Sequence, residues 1–145
     1  MKRCFGPLTN TNRGNVMFVR VLLADDSRIM RDAIRSFLSG YSEIALVGEA
    51  ADFLQTIRMV CDLKPQILLL DLHMPNCVGL DLTDASNRLR ATHVLILAMS
   101  VWTDRNTKAL AQRFGAVALL DKMKLGEDLI PACRRFGQQA NAVRA

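Results

Sequence analysis

Residues 67–79 read ILLLDLHMPNCVG, and this stretch decides the fold class. Four consecutive apolar residues, 67–70, come directly before Asp71, and no polar residue alternates with them. A strand covered on one face alternates apolar and polar residues, whereas a strand covered on both faces reads as a continuous apolar run. The stretch therefore predicts a strand in the middle of a sheet, with an acidic residue at its carboxyl end.

Similar apolar runs recur along the chain and are separated by segments with helical spacing. Together with Ile67–Leu70, the predicted strands are Val19–Ala24, Ile44–Val47, Val94–Met99 and Ala116–Leu120. Ser27, Asp52 and Thr103 are predicted to cap three helices, and Leu80–Leu89 and Glu127–Phe136 are predicted as two more. This β-α alternation predicts an α/β fold, a doubly wound five-stranded parallel sheet with five helices.

The chain length and composition favour one globular domain. The chain has 145 residues, of which half are hydrophobic, and no run is long enough to cross a membrane. Residues 1–16 lack hydrophobic periodicity and are predicted as a flexible tail, with Met17 as a candidate true start. Residues 17–137 form the predicted domain, and residues 138–145 a C-terminal tail too short for a further domain.

Charge and cysteine content argue against several classes of partner. The net charge is +5, and three of the cations lie in the N-terminal tail. The other cations are interspersed with acidic residues, which favours a mildly basic surface over a nucleic-acid patch. The four cysteines show neither CxxC pairs nor clustering with histidine, so zinc is not indicated. Scattered thiols suit a reducing cytoplasm. Neither direct DNA binding nor a membrane is expected.

Polar residues follow four of the five predicted strands. Asp25 and Asp26 follow the first, Asp71 the third, Ser100 ends the fourth and Lys122 lies just beyond the fifth. Carboxyl ends of parallel strands meet at one edge, so these groups are expected together. Two carboxylates at 4 Å repel by about 4 kcal/mol, which calls for a hard divalent cation. With the lysine and the hydroxyl, this site could receive a phosphoryl group on a carboxylate.

The segments VLLADDS, ILLLDLHMPNCVG, LAMS and LLDK resemble the receiver domain of two-component response regulators, which has a flavodoxin-like fold. The resemblance covers about residues 19–136. It implies that Asp71 is the phosphoacceptor. It also implies that Asp26, Asp71 and the backbone carbonyl of His73 bind Mg²⁺ directly, with Asp25 acting largely through water. Lys122 would contact the phosphoryl group, and the Ser100 hydroxyl would move inward after phosphorylation.

Residues flanking these positions include departures from the family pattern. Met74 and Pro75 follow the phosphoacceptor segment as expected, but Val101 stands where the family has a small residue. Leu119 replaces the usual aromatic, which argues against an output signal carried by a rotating ring. Trp102 is predicted either as a lip over the site or as a packing residue at its edge. The side chain of His73 is expected to flank the site and modulate hydrolysis rather than bind metal.

The resemblance implies a stand-alone signalling switch that catalyses only its own phosphoryl transfer and dephosphorylation and is not otherwise an enzyme. A sensor histidine kinase or phosphotransfer protein would supply the phosphoryl group, and a downstream protein or homodimerisation would read the change. A phosphate shuttle or sink without its own output is an alternative. A phosphohydrolase with an aspartyl nucleophile is disfavoured, because His73 occupies the position where such enzymes carry a second aspartate. A flavodoxin-like small-molecule binder is disfavoured by the acidic pair after the first strand.

Overall fold

A computed structural model describes residues 18–75 and 79–144, with side chains as far as residue 140. The predicted tail at residues 1–16 lies outside this part of the chain, as do Cys77 and the proposed start at Met17. Within the described residues, five strands alternate with five α-helices. The strands are β1 (Val19–Ala24), β2 (Ile44–Ala50), β3 (Ile67–Asp71), β4 (Leu95–Ser100) and β5 (Ala118–Asp121). The helices are α1 (Arg28–Leu38), α2 (Phe53–Leu63), α3 (Leu82–Ala91), α4 (Arg105–Phe114) and α5 (Leu125–Arg144).

The strands form a single parallel sheet in the order β2-β1-β3-β4-β5. The predicted fold class is therefore confirmed. The first strand has the predicted bounds, whereas β2 extends to Ala50 and β5 begins at Ala118 rather than at residue 116. The central strand β3 is buried along its whole length, as its uninterrupted apolar run predicts.

Alternate residues of the central strands face two separate apolar layers. Leu68 and Leu70 pack with α2, α3 and α4 on one face of the sheet. Ile67 and Leu69 pack with α1 and α5 on the other face. This two-sided cover explains why β3 carries no polar alternation. No helix of the described chain is long and apolar enough to cross a membrane.

Side-chain caps fix the starts of the helices. The predicted caps Ser27 and Asp52 are confirmed, since each side chain accepts a hydrogen bond from a backbone N–H in the first turn. The prediction of Thr103 as a cap was wrong by one residue, because Asp104 accepts from the N–H of Thr107 at 2.9 Å. Helix α3 begins two residues later than predicted because Asp81 caps it.

The last helix is longer than the sequence suggested. It runs from Leu125 to Arg144 and continues past Pro131. The predicted end at Phe136 was therefore wrong, and the C-terminal tail predicted from residue 138 is helical as far as Arg144. Gly137 lies against Val19 of β1, where an added Cβ would overlap a valine methyl group. The absence of a side chain there lets the second half of the helix pack closely on the sheet.

Candidate functional site

Three carboxylates converge at the carboxyl ends of β1 and β3. One oxygen from each of Asp25, Asp26 and Asp71 can be chosen so that all three lie within 4.8 Å of one another. The first two residues directly follow β1 and the third ends β3, and these strands are neighbours in the sheet. The side-by-side pairing of parallel strands therefore brings together the acidic residues that the sequence analysis selected.

Asp25 is the most enclosed of the three and is held from both of its oxygens. It is fully buried, with the backbone N–H of Ser27 donating to Oδ1 at 2.9 Å and Lys122 Nζ donating to Oδ2 at 2.7 Å. A buried carboxylate needs a charged partner of this kind, because ionisation without one costs several kcal/mol. The resemblance implies that Lys122 contacts a phosphoryl group on Asp71, and in the structure its nearer partner is Asp25.

Asp71 lies beside the same ammonium group at a longer distance. Its Oδ2 is 3.5 Å from Lys122 Nζ, and its Oδ1 accepts a hydrogen bond from the backbone N–H of His73 at 3.0 Å. Burial raises the pKa of Asp71 to about 6, while the N–H of His73 and the charge of Lys122 oppose this rise. Asp71 is thus a carboxylate that ionises at neutral pH but pays a cost for its charge.

The donor set fits a hard divalent cation. Three carboxylates and only one ammonium leave an excess of negative charge, and oxygen ligands are the type that Mg²⁺ prefers. Asp26 is exposed and faces the approach from solvent, whereas Asp25 is already bound through both oxygens. Asp26 and Asp71 are therefore the carboxylates best able to hold the ion directly. The resemblance adds the carbonyl of His73, which remains a prediction.

Ser100 is the last residue of β4, the strand next to β3 in the sheet. The residue is fully buried, and its Oγ accepts a hydrogen bond from the backbone N–H of Trp102 at 3.0 Å. The hydroxyl proton remains available for an acceptor, since the bond to Trp102 uses only an oxygen lone pair. The hydroxyl therefore has a fixed position and a proton to donate.

His73, whose backbone N–H bonds Asp71, forms an aromatic pair with Trp102. The ring of Trp102 is half exposed and meets the imidazole of His73 edge to face, with the ring centroids 5.0 Å apart. Both predicted roles of Trp102 are compatible with this contact, since the indole packs on the residue two positions after Asp71. Met74 is buried, Pro75 and Val101 are exposed, and Leu119 is half-buried on β5.

The second strand also contributes to the site, although no site residue is predicted on it. Glu49 on β2 bonds Arg35 at 2.7 Å and lies 3.5 Å from Arg31. Arg31 in turn donates to the backbone carbonyl of Asp25 at 2.7 Å. Glu49 therefore helps to hold the acidic loop in place through Arg31. Glu49 lies near this loop because it pairs with Leu23 across the sheet, and this register is not evident from the sequence.

Residues 21–134 match the family described as the response regulator receiver domain. This chain belongs to that family. The receiver also resembles a protein-glutamate methylesterase/protein-glutamine glutaminase of Rhizobium johnstonii, with 33% identity over 126 residues. That match covers 87% of this chain and 35% of the relative. An uncharacterized transcriptional regulatory protein of Bacillus subtilis is 32% identical over 80% of this chain and 53% of its own length. The chain thus spans about a third to a half of these relatives.

Solved structures show the same fold at lower identity. The response regulator domain of CheB from Thermotoga maritima superimposes with a TM-score of 0.72 at 23% identity, over 83% of this chain and 97% of that one. The non-phosphorylated receiver domain of the stress response regulator RcsB from Escherichia coli gives a TM-score of 0.75 at 20% identity, over 84% of this chain and 95% of that one. These matches agree with the five-stranded parallel architecture.

Proposed function

We propose that this receiver accepts a phosphoryl group on Asp71, with Mg²⁺ held mainly by Asp26 and Asp71, and signals the change to a partner protein. A sensor histidine kinase or a phosphotransfer protein of the cytoplasm is the proposed donor. The observation that carries the proposal is the position of Lys122, whose ammonium lies 2.7 Å from Asp25 and 3.5 Å from Asp71. A cation fixed beside a carboxylate at a sheet edge is suited to charge that arrives on that carboxylate.

The transfer step needs a nucleophile and a place for negative charge. An oxygen of ionised Asp71 attacks the phosphorus atom, one P–O bond forms, and the bond from phosphorus to the donor nitrogen or oxygen breaks. Bound Mg²⁺ would neutralise charge on the transferred oxygens. Lys122 gains a stronger partner in the phosphoryl oxygens than Asp71 alone provides, so its ammonium can be shared between Asp25 and the new group.

Ser100 links this charge to the loop that follows β4. Its buried hydroxyl carries a proton and is tied through oxygen to the N–H of Trp102. Donation of that proton to a phosphoryl oxygen would draw Ser100 inward and shift the backbone at residues 101–102. This would bias a two-state equilibrium that a partner, or a second copy of the chain, can read. The receiver would thereby catalyse only its own phosphoryl transfer and hydrolysis.

A phosphate sink is the second candidate, and Leu119 favours it. This half-buried aliphatic side chain occupies the β5 position where the family carries an aromatic ring. Without the ring, the coupling from the site to the β5 surface must use another element. A sink needs only the transfer chemistry, whereas a switch also requires the loop after Ser100 to change.

Intact-mass measurement with a small phosphodonor tests the proposal. The parent chain, incubated with acetyl phosphate and Mg²⁺, should gain one phosphoryl group, and chelation should prevent the gain. Asp71→Asn should remain folded and gain nothing, because its amide is not a nucleophile. Asp84→Asn, an exposed change on α3, should behave as the parent. Equal labelling of the parent and Asp71→Asn would refute the role of Asp71.

A further inference from the structure

An open groove lies at the end of the sheet opposite the carboxylates. It has a volume of about 810 Å³ and runs between α2 and α3, beside the amino ends of β3 and β4. Ile57 and Val60 of α2, with Pro65 and Val94 from the segments that enter the two strands, form much of its apolar lining. A groove of this size accommodates large side chains of a bound segment.

Both walls of the groove carry a cation. Lys64 follows the last turn of α2, and Arg88 lies near the end of α3. In the part of the chain that the structure describes, neither side chain makes an ion pair, and no carboxylate lines the groove. The guanidinium of Arg20 adds charge at this end and donates to the carbonyls of Leu63 and Lys64, which offsets the partial negative charge of the α2 terminus.

Lys64 has a backbone conformation in which glycine would be more favourable. Lys64 has φ 49° and ψ 58°, in the left-handed region, whereas α4 ends with Gly115 in the same region. A residue with a Cβ is less stable than glycine in this conformation, because the Cβ approaches the following carbonyl oxygen. His93, next to the lining residue Val94, also has a positive φ of 61°. Departure from the favourable residue beside a groove is typical of a functional position.

We propose that the groove between α2 and α3 binds a partner polypeptide segment that carries large apolar side chains flanked by carboxylates. The apolar side chains would cover Ile57, Val60 and Val94, and the carboxylates would pair with Lys64 and Arg88. Charge complementarity disfavours a basic segment, since Lys64 and Arg88 stand on the two walls and the described residues that line the groove include no carboxylate. The groove is open to solvent between the two helices, which suits a polypeptide segment lying along it better than an enclosed small ligand.

The groove is separate from the phosphoryl site. Strands β3 and β4 begin beside it and end at Asp71 and Ser100, so the length of the sheet lies between the two places. Binding in the groove therefore does not rest on the proposed phosphorylation. Variants of the groove should accept phosphate from acetyl phosphate as the parent does, which keeps the two tests distinct.

Selection from a random peptide display library on the immobilised full-length chain tests the proposal. Peptides enriched on the parent are synthesised, and their Kd values are measured by fluorescence anisotropy against three folded variants. Lys64→Glu/Arg88→Glu reverses the groove charge, and Ala91→Trp fills the groove without changing charge. The matched control, Arg58→Glu/Arg105→Glu, makes the same charge change at exposed positions outside the groove lining. Thermal melting by circular dichroism checks that each variant is folded.

The enriched peptides should combine large apolar residues with aspartate or glutamate. Their Kd should rise about tenfold or more in both groove variants, because one reverses the charges of Lys64 and Arg88 and the other fills the groove. In the control, the Kd should stay within about threefold of the parent value. Failure to enrich peptides over the charge-reversed variant, or enrichment of basic peptides, would overturn the proposal. So would perturbation of groove amide resonances by dodecanoate but by no acidic peptide, since the groove would then take a small anionic amphiphile.

Discussion

The two ends of strands β3 and β4 handle charge in opposite ways. At the carboxyl ends, three carboxylates and Lys122 are packed together, and Asp25 and Asp71 are almost completely buried. At the amino ends, the groove between α2 and α3 carries Lys64 and Arg88 on an apolar lining. At the carboxyl ends, Lys122 therefore balances part of the negative charge from within the chain and leaves an excess for a bound cation. At the amino ends, Lys64 and Arg88 make no ion pair with the residues that the structure describes.

The difference indicates which substitutions the fold can tolerate. Removing one partner of a buried ion pair leaves the other charge without compensation, which is costly, whereas exposed unpaired charges contribute little to stability. The carboxyl end should therefore respond to single substitutions in its free energy of unfolding. The groove should respond mainly in binding.

Replacement of Lys122 should have the largest effect on stability. In Lys122→Ala, buried Asp25 loses its nearest cation, and we expect the unfolding free energy to fall by about 3–5 kcal/mol in the absence of metal. Arg88→Ala, a cation change at the groove, should alter it by less than about 0.5 kcal/mol. Urea denaturation of both variants measures the contrast, and Mg²⁺ should restore part of the loss in Lys122→Ala. Equal small losses would show that the two ends do not differ.

Asp71→Asn should stabilise the metal-free chain, with a gain that depends on pH. Asp71 has a pKa of about 6 in the folded chain and an ordinary value of about 3.9 when unfolded, so its ionisation opposes folding. The cost is absent below about pH 4 and fully present above about pH 6. Asparagine avoids it, and we expect a gain of about 1–2 kcal/mol at pH 7.5 that disappears toward pH 4.

Denaturation with urea across this pH range, in chelator, measures the effect. Asp62→Asn, which removes an exposed carboxylate from α2, serves as the charge control and should not reproduce the pH dependence. A gain in Asp71→Asn that is the same at pH 4 and pH 7.5 would show that burial of the Asp71 charge is not its source.

Much of the sheet and the identity of the acidic cluster could be predicted from the sequence. Strand β3 follows from its unbroken apolar run, and parallel pairing brings Asp25, Asp26 and Asp71 to one edge. The nearer partner of Lys122 could not be predicted. Asp25 directly follows β1 and Asp71 ends the neighbouring β3, so only side-chain positions decide between them.

The remaining features could not be predicted because two adjacent residues could cap a helix and because the sequence does not give the distance between helices. Thr103 and Asp104 are adjacent, and either residue type can cap a helix, so sequence alone does not choose between them. Ile57 and Val60 lie about one turn apart on α2, a helical spacing typical of core residues, and both side chains are largely buried. That they also line a groove depends on the separation of α2 from α3, which periodicity does not encode.

Ser100→Ala should have a smaller effect on stability but a clear effect on signalling. The variant leaves the backbone N–H of Trp102 without its acceptor, which should cost about 1 kcal/mol. In the parent, Mg²⁺ alone should change Trp102 fluorescence modestly, and Mg²⁺ with beryllofluoride should change it more. The variant should lose most of the second change and keep the first. If beryllofluoride adds nothing in a parent chain that can be phosphorylated, the receiver is a phosphate sink.

The smallest effect concerns the groove and is a gain in stability. Lys64→Gly should raise the unfolding free energy by about 0.5–1 kcal/mol, because glycine adopts the left-handed backbone of this position without a Cβ penalty. His93→Gly is the matched change at the end of α3. Both variants should be more stable than the parent in thermal or urea denaturation. Only Lys64→Gly should bind an acidic peptide selected on the groove more weakly. Destabilisation by both would show that the left-handed residues are not strained.

Chemical trapping of the phosphorylated residue tests the central claim most directly. The chain is treated with acetyl phosphate and Mg²⁺ and reduced with borohydride, which converts an aspartyl phosphate to homoserine, and the site is then located by peptide mass spectrometry. The proposed function predicts homoserine at residue 71 alone and none when Mg²⁺ is chelated. Homoserine at residue 25 or 26, or none in a chain that has gained a phosphoryl group, would contradict it.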